Sequence, residues 1–303
     1  MDRLSSMATF VRAADLGSFA AAAEATGMSP TMVGKHVQYL EARLGVRLIS
    51  RTTRRQSLTE FGRVYYERCV AILEAIAAAD SLAADHLNTP HGTLRVTMPA
   101  LLGRFCVAPL LLRLADQYPT LRIEMSMTDR IVDLLAGGFD LAVRTGRPRD
   151  RAGLTFKLIG SHRMVVCGSP DLLAGEETPK VIADLQGWPV LMYARQGWDH
   201  GWLFRGEDER TIEIAPPSRI LFDDLAAVTD AAVAGSGLAW VPIWLAQPHI
   251  ERGELVEVPL DVSPFQFDNY AVWPEARHLP LRVRLTLTLL EQGLASRLEP
   301  QVG

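Results

Sequence analysis

Ser29-Pro30-Thr31-Met32-Val33-Gly34-Lys35-His36-Val37-Gln38-Tyr39-Leu40-Glu41-Ala42-Arg43-Leu44-Gly45 reads as one helix with two unlike faces. Val33, Val37, Leu40 and Leu44 recur at spacings of four, three and four, the apolar stripe of an amphipathic helix. Ser29 has an N-cap side chain, and Pro30 suits the first helical position, where its missing N–H removes no hydrogen bond. Gly45 supplies the stop, because glycine tolerates the left-handed conformation of a helix end. The opposite face carries Thr31, Met32, Gly34, Lys35, His36 and Gln38, and no carboxylate appears before Glu41. Hydroxyl, imidazole, amide and ammonium groups beside a small glycine suit a helix that enters the major groove of DNA.

Upstream, Ser18 caps an alanine-rich helix from Phe19 to Thr26, and Gly27-Met28 turns the chain into Ser29. Two helices joined by a short glycine-containing turn are a helix-turn-helix, although an ordinary helical hairpin gives the same pattern. Leu4, Met7, Val11 and Ala14 add a first helix with spacings of three, four and three. Downstream, Val46–Arg51 and Gln56–Leu58 read as two short strands with Thr52-Thr53-Arg54-Arg55 at the tip. Such a hairpin is too small to stand alone and must lean on the helices as a wing. Arg51, Arg54 and Arg55 have no neighbouring acid and suit phosphates or the minor groove.

The chain has 303 residues and a net charge of −4. Charge is split unevenly. Residues 1–59 hold eight Lys/Arg against four Asp/Glu, a net of +4, which leaves −8 for the rest. That asymmetry marks a nucleic-acid module joined to a domain with another task. Thr59 caps a long helix in which Phe61, Tyr65, Cys69, Ile72, Ile76, Ala79 and Ala83 form one stripe to about Leu87. A small wing domain cannot cover that stripe, so the same helix of a second copy is its expected partner. Asn88-Thr89-Pro90-His91-Gly92 then forms a hinge.

From Thr93 strands and helices alternate, which predicts an α/β region of two lobes. Strands are expected at 93–97, 121–127, 139–144, around 156–158, 164–166, 190–193, 211–214, 219–222, 238–241, 254–258 and 267–273. Helices are expected at 106–118, 131–136, 223–234, after Pro242, and from 281 to about 290. Cys69, Cys106 and Cys167 form no CxxC pair, which suits a reducing cytoplasm and buried structural thiols. No apolar run is long enough for a membrane span and no signal peptide is read. The expected location is therefore the cytoplasm. No GxSxG, HExxH, Walker loop or GxGxxG occurs, and the seven histidines have no metal-ligand spacing. The expectation is a non-enzyme with no cofactor and no metal.

The order of parts resembles the LysR-type transcriptional regulators over essentially the full length. The resemblance rests first on Phe19 to Ala23, Ser29-Pro30, Val33, Lys35, Leu40-Glu41, Leu44 to Leu48, Arg51-Thr52, Arg54-Arg55 and Leu58 to Gly62. It continues through Gly92 to Val96, Pro99, Ala108 to Leu110, Tyr118-Pro119, Asp133-Leu134, Gly138 to Arg144, Gly237-Leu238, Pro242 and Gly253 to Val256. It implies an α+β multidomain chain. Residues 1–59 would be a winged helix-turn-helix, 60–90 a linker and dimerisation helix with its hinge, and 91–303 an effector domain similar to periplasmic binding proteins. Lobe I would hold about 91–163 and 268–303, and lobe II about 164–267. The implied partners are double-stranded promoter DNA, a small-molecule effector, a second copy through the linker helix, tetramers of such dimers, and RNA polymerase.

Three departures bear on specificity. Pro30-Thr31 replaces the glutamine-proline pair frequent in the family, and Gly34-Lys35 replaces serine-arginine. Lysine keeps the charge but lacks the bidentate fork that reads guanine. Ala100 stands where a hydroxyl residue often holds an anionic effector. In open α/β sheets ligands sit beyond the carboxyl ends of strands, which selects Pro99, Ala100, Leu101 and Leu102, then Thr128 and Asp129, then Arg144. The resemblance adds Phe222, Asp223, Trp240 and Pro242, with Trp198 and Trp202 flanking the cleft. This lining is mostly apolar and aromatic, so an aromatic or largely apolar effector is expected. The competing reading is a cytoplasmic small-molecule-binding protein or enzyme with an N-terminal helical assembly module.

Overall fold

The computed structural model describes residues 1–51, 56–87, 89–148, 152–174, 177–194, 201–208, 210–276 and 278–299. Contacts divide the chain into two units. One comprises Met1–Pro90 with Leu135–Gly137 and Ala276–Leu281, and the other comprises the rest.

The first unit begins with α1 (Arg3–Asp15), α2 (Phe19–Thr26) and α3 (Pro30–Leu44). Each start is capped by a side chain: Asp2 accepts from the amides of Leu4 and Ser5, Ser18 from Ala21, and Ser29 from Met32. These bonds satisfy N–H groups that a helix start leaves without partners. Gly27 and Gly45 end α2 and α3 at φ 66° and 73°, the left-handed geometry expected of such stops. β1 (Ile49–Arg51) and β2 (Gln56–Leu58) pair antiparallel, with Ile49 opposite Leu58. The hairpin tip, including Arg54 and Arg55, lies outside the described residues. Met7, Phe10, Phe19, Val33, Val37, Leu40, Leu48 and Ile49 form the shared core.

α4 (Glu60–Leu87) is 28 residues long, roughly 42 Å at 1.5 Å per residue. Thr59 caps it by accepting from Gly62 N at 2.9 Å while its own hydroxyl donates to Arg47 O at 2.7 Å. The expected single stripe is divided. Cys69 is fully buried in the trihelical core and Tyr65 packs against that core, whereas Phe61, Val64 and Ile72 stand exposed.

From residue 91 onward, nearly all of it in the second unit, the chain forms β3 (Gly92–Met98), α5 (Ala100–Leu102), α6 (Ala108–Gln117), β4 (Leu121–Met127), α7 (Leu134–Gly137) and β5 (Leu141–Thr145). It continues with β6 (Leu154–Gly168), α8 (Pro170–Leu173), β7 (Val190–Tyr193), β8 (Trp202–Arg205), β9 (Thr211–Ile214) and β10 (Ile220–Phe222). It closes with α9 (Leu225–Val233), β11 (Leu238–Pro242), α10 (Ile243–Glu251), β12 (Val256–Glu257), β13 (Ser263–Pro264), β14 (Gln266–Pro274), α11 (Leu281–Gly293) and α12 (Ala295–Leu298). The main sheet runs β10-β7-β11-β6-β14-β5-β3-β4, and β13-β8-β9 form a small separate sheet. β6 joins the two halves. Leu154 to Arg163 pairs with β14, and Met164 to Cys167 pairs with β11.

Several expected elements are corrected. The strands around 156–158 and 164–166 are one strand, β6. Gly160-Ser161 reads as a break, yet a Cβ at Gly160 would lie 2.8 Å from Leu298 Cδ1. Glycine there meets two demands, a φ of 148° at the irregularity in the β6–β14 pairing and the close approach of the C-terminal helix. The helix expected from Cys106 starts at Ala100, passes through a wider π-type turn at Gly103–Val107, and continues as α6. Gly103 is buried against Met98 and Met127, and a Cβ would meet Met98 Cγ at 2.6 Å. The helix expected at 131–136 reduces to Leu134–Gly137. β8 and β13 were not expected, because neither segment alternates polar and apolar residues.

Candidate DNA-reading face and effector site

α3 turns a polar strip outward. Ser29, Pro30, Thr31, Met32, Lys35 and Gln38 are exposed, and Gly34 and His36 are not. Gly34 lies against the Phe19 ring, where an added Cβ would sit 3.7 Å from Cε2. His36 is 7% exposed and its Nδ1 lies 3.0 Å from Ser6 Oγ on α1. The expectation that both residues belong to the exposed face is thus corrected. Positions 34 and 36 fall on the flanks of α3 that α2 and α1 cover.

The nearest carboxylate on α3 is withdrawn. Glu41 Oε1 accepts from Leu48 N at 2.8 Å and Ile49 N at 3.2 Å, tying the helix to the first wing strand. Among the described residues no carboxylate forms an ion pair with Lys35. Arg51 ends β1 opposite Gln56. Glu41 is thus held against backbone amides while Lys35 stays exposed, a pattern suited to a polyanion.

In the second unit, some of the expected effector residues come together at the carboxyl ends of β3, β4 and β5. Thr128 N donates to Met98 O at 2.8 Å, and Ala100 N donates to Asp129 Oδ1 at 3.4 Å. Arg144 donates to Thr97 Oγ1 at 3.2 Å. Burial lowers its pKa, and the charge of Asp129 opposes that fall. Pro99 opens α5, Leu101 is half-buried and Leu102 is buried. Across the sheet, Phe222 is half-buried, Asp223 is exposed and Pro242 opens α10. Trp202 and Trp240 are 2% and 5% exposed and pack in one core cluster with Met164, Val166 and Leu238. Trp198 lies outside the described residues.

A polar chain runs from exposed Thr145 inward to buried Asn269 and His162 beside this region. Thr145 Oγ1 donates to Asn269 Oδ1 at 2.8 Å, and Asn269 Nδ2 faces His162 Nδ1 at 2.9 Å. His162 is 2% exposed and sits edge-on to Trp244, with ring centroids 5.9 Å apart. Burial lowers its pKa to about 4, against the weaker pull of Asp268. Thr145 and Asn269 come from neighbouring strands far apart in sequence, so no local spacing announces them. Cys106 and Cys167 are buried thiols whose pKa burial raises to about 12.

Residues 4–63 match the bacterial regulatory helix-turn-helix protein domain of the lysR family, and residues 87–295 match the LysR substrate binding domain. The chain belongs to the LysR family of transcriptional regulators. It is 32% identical over 293 residues to the HTH-type transcriptional regulator PtxR of Pseudomonas aeruginosa, covering 96% of this chain and 93% of PtxR. It is equally similar, over the same shares, to the HTH-type transcriptional activator AaeR of Escherichia coli. Among solved structures, the LysR-type regulator CrgA of Neisseria meningitidis aligns with TM-score 0.59 and 28% identity, over 95% of this chain and 98% of CrgA. The family consists of DNA-binding regulators governed by an effector-binding domain, so the reading as an assembly module on an unrelated receptor or enzyme gives way to a LysR-family regulator.

Proposed function

We propose that Ser29, Pro30, Thr31, Met32, Lys35 and Gln38 meet the major groove while Arg51, Arg54 and Arg55 meet the phosphates beside it. Gly34 and His36 act from behind, by letting α2 and α1 pack against α3. The observation that carries this reading is the cationic strip of α3 from which Glu41 has been withdrawn. Two such helices reach successive grooves about 34 Å apart if the protein is a dimer. Phe61, Val64 and Ile72, exposed on α4 with Ala71, Ala75 and Ala79, supply the apolar face for that pairing. Tetramers of these dimers and contact with RNA polymerase complete the proposed assembly, which works in the cytoplasm and performs no catalysis. Among the described residues no helix is long and apolar enough to cross a membrane.

The proposed organisation is 1–59 for DNA, 60–90 for pairing and 91–303 for sensing, with lobe I at 91–163 and 268–303 and lobe II at 164–267. The continuous pairing of β6, first with β14 and then with β11, supports a division near Arg163. The effector is aromatic or largely apolar and is held by Pro99, Ala100, Leu101, Leu102, Thr128, Asp129, Arg144, Trp202, Phe222, Asp223, Trp240 and Pro242. Asp129 already faces the Ala100 amide, which disfavours a carboxylate ligand at that point.

The test is binding to the duplex upstream of the protein's own gene, across a salt series. Affinity should fall steeply with salt as counterions are released. Lys35→Ala should cost ~1–3 kcal/mol on that duplex and little on random DNA. Equal losses on both would restrict Lys35 to phosphate contact, and no binding in dilute buffer would remove the proposal. A panel of aromatic, neutral and anionic metabolites, read by thermal shift, tests the effector class. A response confined to small anions would overturn it.

A further inference from the structure

Ser6 and His36 form a polar link between the interiors of α1 and α3. Ser6 Oγ lies 2.7 Å from Asp2 O and 3.0 Å from His36 Nδ1. A serine hydroxyl has one proton to give. The carbonyl of Asp2 also accepts from Ser6 N at 3.2 Å, so the hydroxyl proton can serve either neighbour. With it on Asp2 O the imidazole donates from Nδ1, and with it on Nδ1 the imidazole accepts; either way a directional bond joins Ser6 to His36.

The placement gives the bond its consequence. Ser6 is fully buried and His36 nearly so, while Lys35 before it and Gln38 after it stand exposed on the same helix. Apolar packing of Val33, Val37 and Leu40 fixes that α3 docks, but tolerates small rotations about the helix axis. A directional hydrogen bond does not. A rotation that lengthens the Ser6–His36 bond also swings Lys35 and Gln38 relative to the groove.

We propose that His36 is a positioning residue for DNA specificity. Its Nδ1, hydrogen-bonded to Ser6 Oγ, sets the rotation of α3 and thereby the register in which Lys35 and Gln38 meet base edges. This deepens the reading of α3 as the groove-entering helix and rests on it.

The experiment uses the full-length protein. The wild type enriches a sequence from a randomised 30-base-pair duplex pool, and variants are then measured on the enriched duplex and on unselected duplex. His36→Asn places an amide, able to donate or to accept, where Nδ1 was, and should keep affinity for the enriched duplex within about twofold. His36→Gln moves the amide one bond outward, and Ser6→Ala removes the hydroxyl. Both should lose about tenfold on the enriched duplex, with unselected DNA bound as before and thermal unfolding still cooperative. Wild-type affinity in Ser6→Ala and His36→Gln would overturn the proposal. So would a His36→Asn as weak as His36→Gln, or equal losses on both duplexes. If the wild type enriches no sequence, the reading of α3 fails first and carries this inference with it.

Discussion

The two units treat their polar groups in opposite ways. In the DNA-reading unit a few buried polar atoms fix helices from behind, and the functional groups stay outside with partners to find. In the sensing unit the polar groups at the strand ends have already found one another: Asp129 with the Ala100 amide, Arg144 with Thr97, and Thr145 with Asn269 and His162. A surface that must bind DNA keeps its donors free, because every phosphate it meets is an acceptor. A pocket for a small molecule keeps only a few, because an unmatched polar atom in a closed site opposes both folding and binding. The two buried histidines show the same contrast. His36 meets the Ser6 hydroxyl from behind the DNA-reading face. His162 Nδ1 accepts from Asn269 if the amide of Asn269 also accepts from Thr145, so its own proton belongs on Nε2.

The largest effect expected from this comparison is at Gly62. Alanine in a helix interior is normally better than glycine by about 1 kcal/mol. Here a Cβ would lie 2.0 Å from Leu48 O, on the backbone of the wing. Gly62→Ala should therefore destabilise the first unit by roughly 3–4 kcal/mol, with the wing displaced and DNA affinity lost. Denaturant unfolding of the variant decides it. A variant as stable as the wild type would mean that the wing is not seated on α4.

The sensing unit should break differently, through protons. Burial holds His162 neutral, with a folded pKa of about 4 against 6.5 when unfolded. The unfolded chain thus binds the proton first as pH falls. Stability is fully present above 6.5, declines through the window from 6.5 to 4, and levels below it. The loss should reach ~2 kcal/mol by pH 5 and ~3 kcal/mol by pH 4. His162→Gln should remove this component of the slope, measured as the difference between the two pH–stability curves. Parallel curves from pH 7 to 4 would show that His162 protonates without penalty.

How much of this was legible in the chain follows the same division. The DNA-reading face is local. Caps, stripe and stop of α3 lie within seventeen consecutive residues, so Ser29, Gly45, Lys35 and Gln38 could be placed from spacing alone. His36 and Gly34 were misplaced because the flank of a helix is polar or small whether it meets solvent or another helix. Only the Ser6 and Phe19 contacts distinguish the two cases. The sensing region was legible as alternating elements, but its joints were not. Gly160 and Gly103 look like breakers and serve as close-approach points, and the Thr145–Asn269–His162 chain is assembled by strand order, which no local pattern encodes.

The smallest effect sharpens the comparison most, because its two explanations differ in sign. Glu41 sits on α3, the helix proposed to face DNA. If it were simply an acid repelling phosphates, Glu41→Ala would tighten DNA binding. Its carboxylate instead accepts from Leu48 N and Ile49 N, and the first of these residues is buried in the core. Removing it leaves two backbone donors at the root of the wing without their partner, at about 1–2 kcal/mol of stability. Glu41→Ala should therefore weaken DNA binding through the wing, while the salt slope stays as in the wild type, since no phosphate contact of α3 is deleted. Glu41→Gln retains a carbonyl acceptor and should fall between the two. Tighter binding by Glu41→Ala would mean that the carboxylate acts on DNA directly and that the cationic face is not cleared by this inward bond.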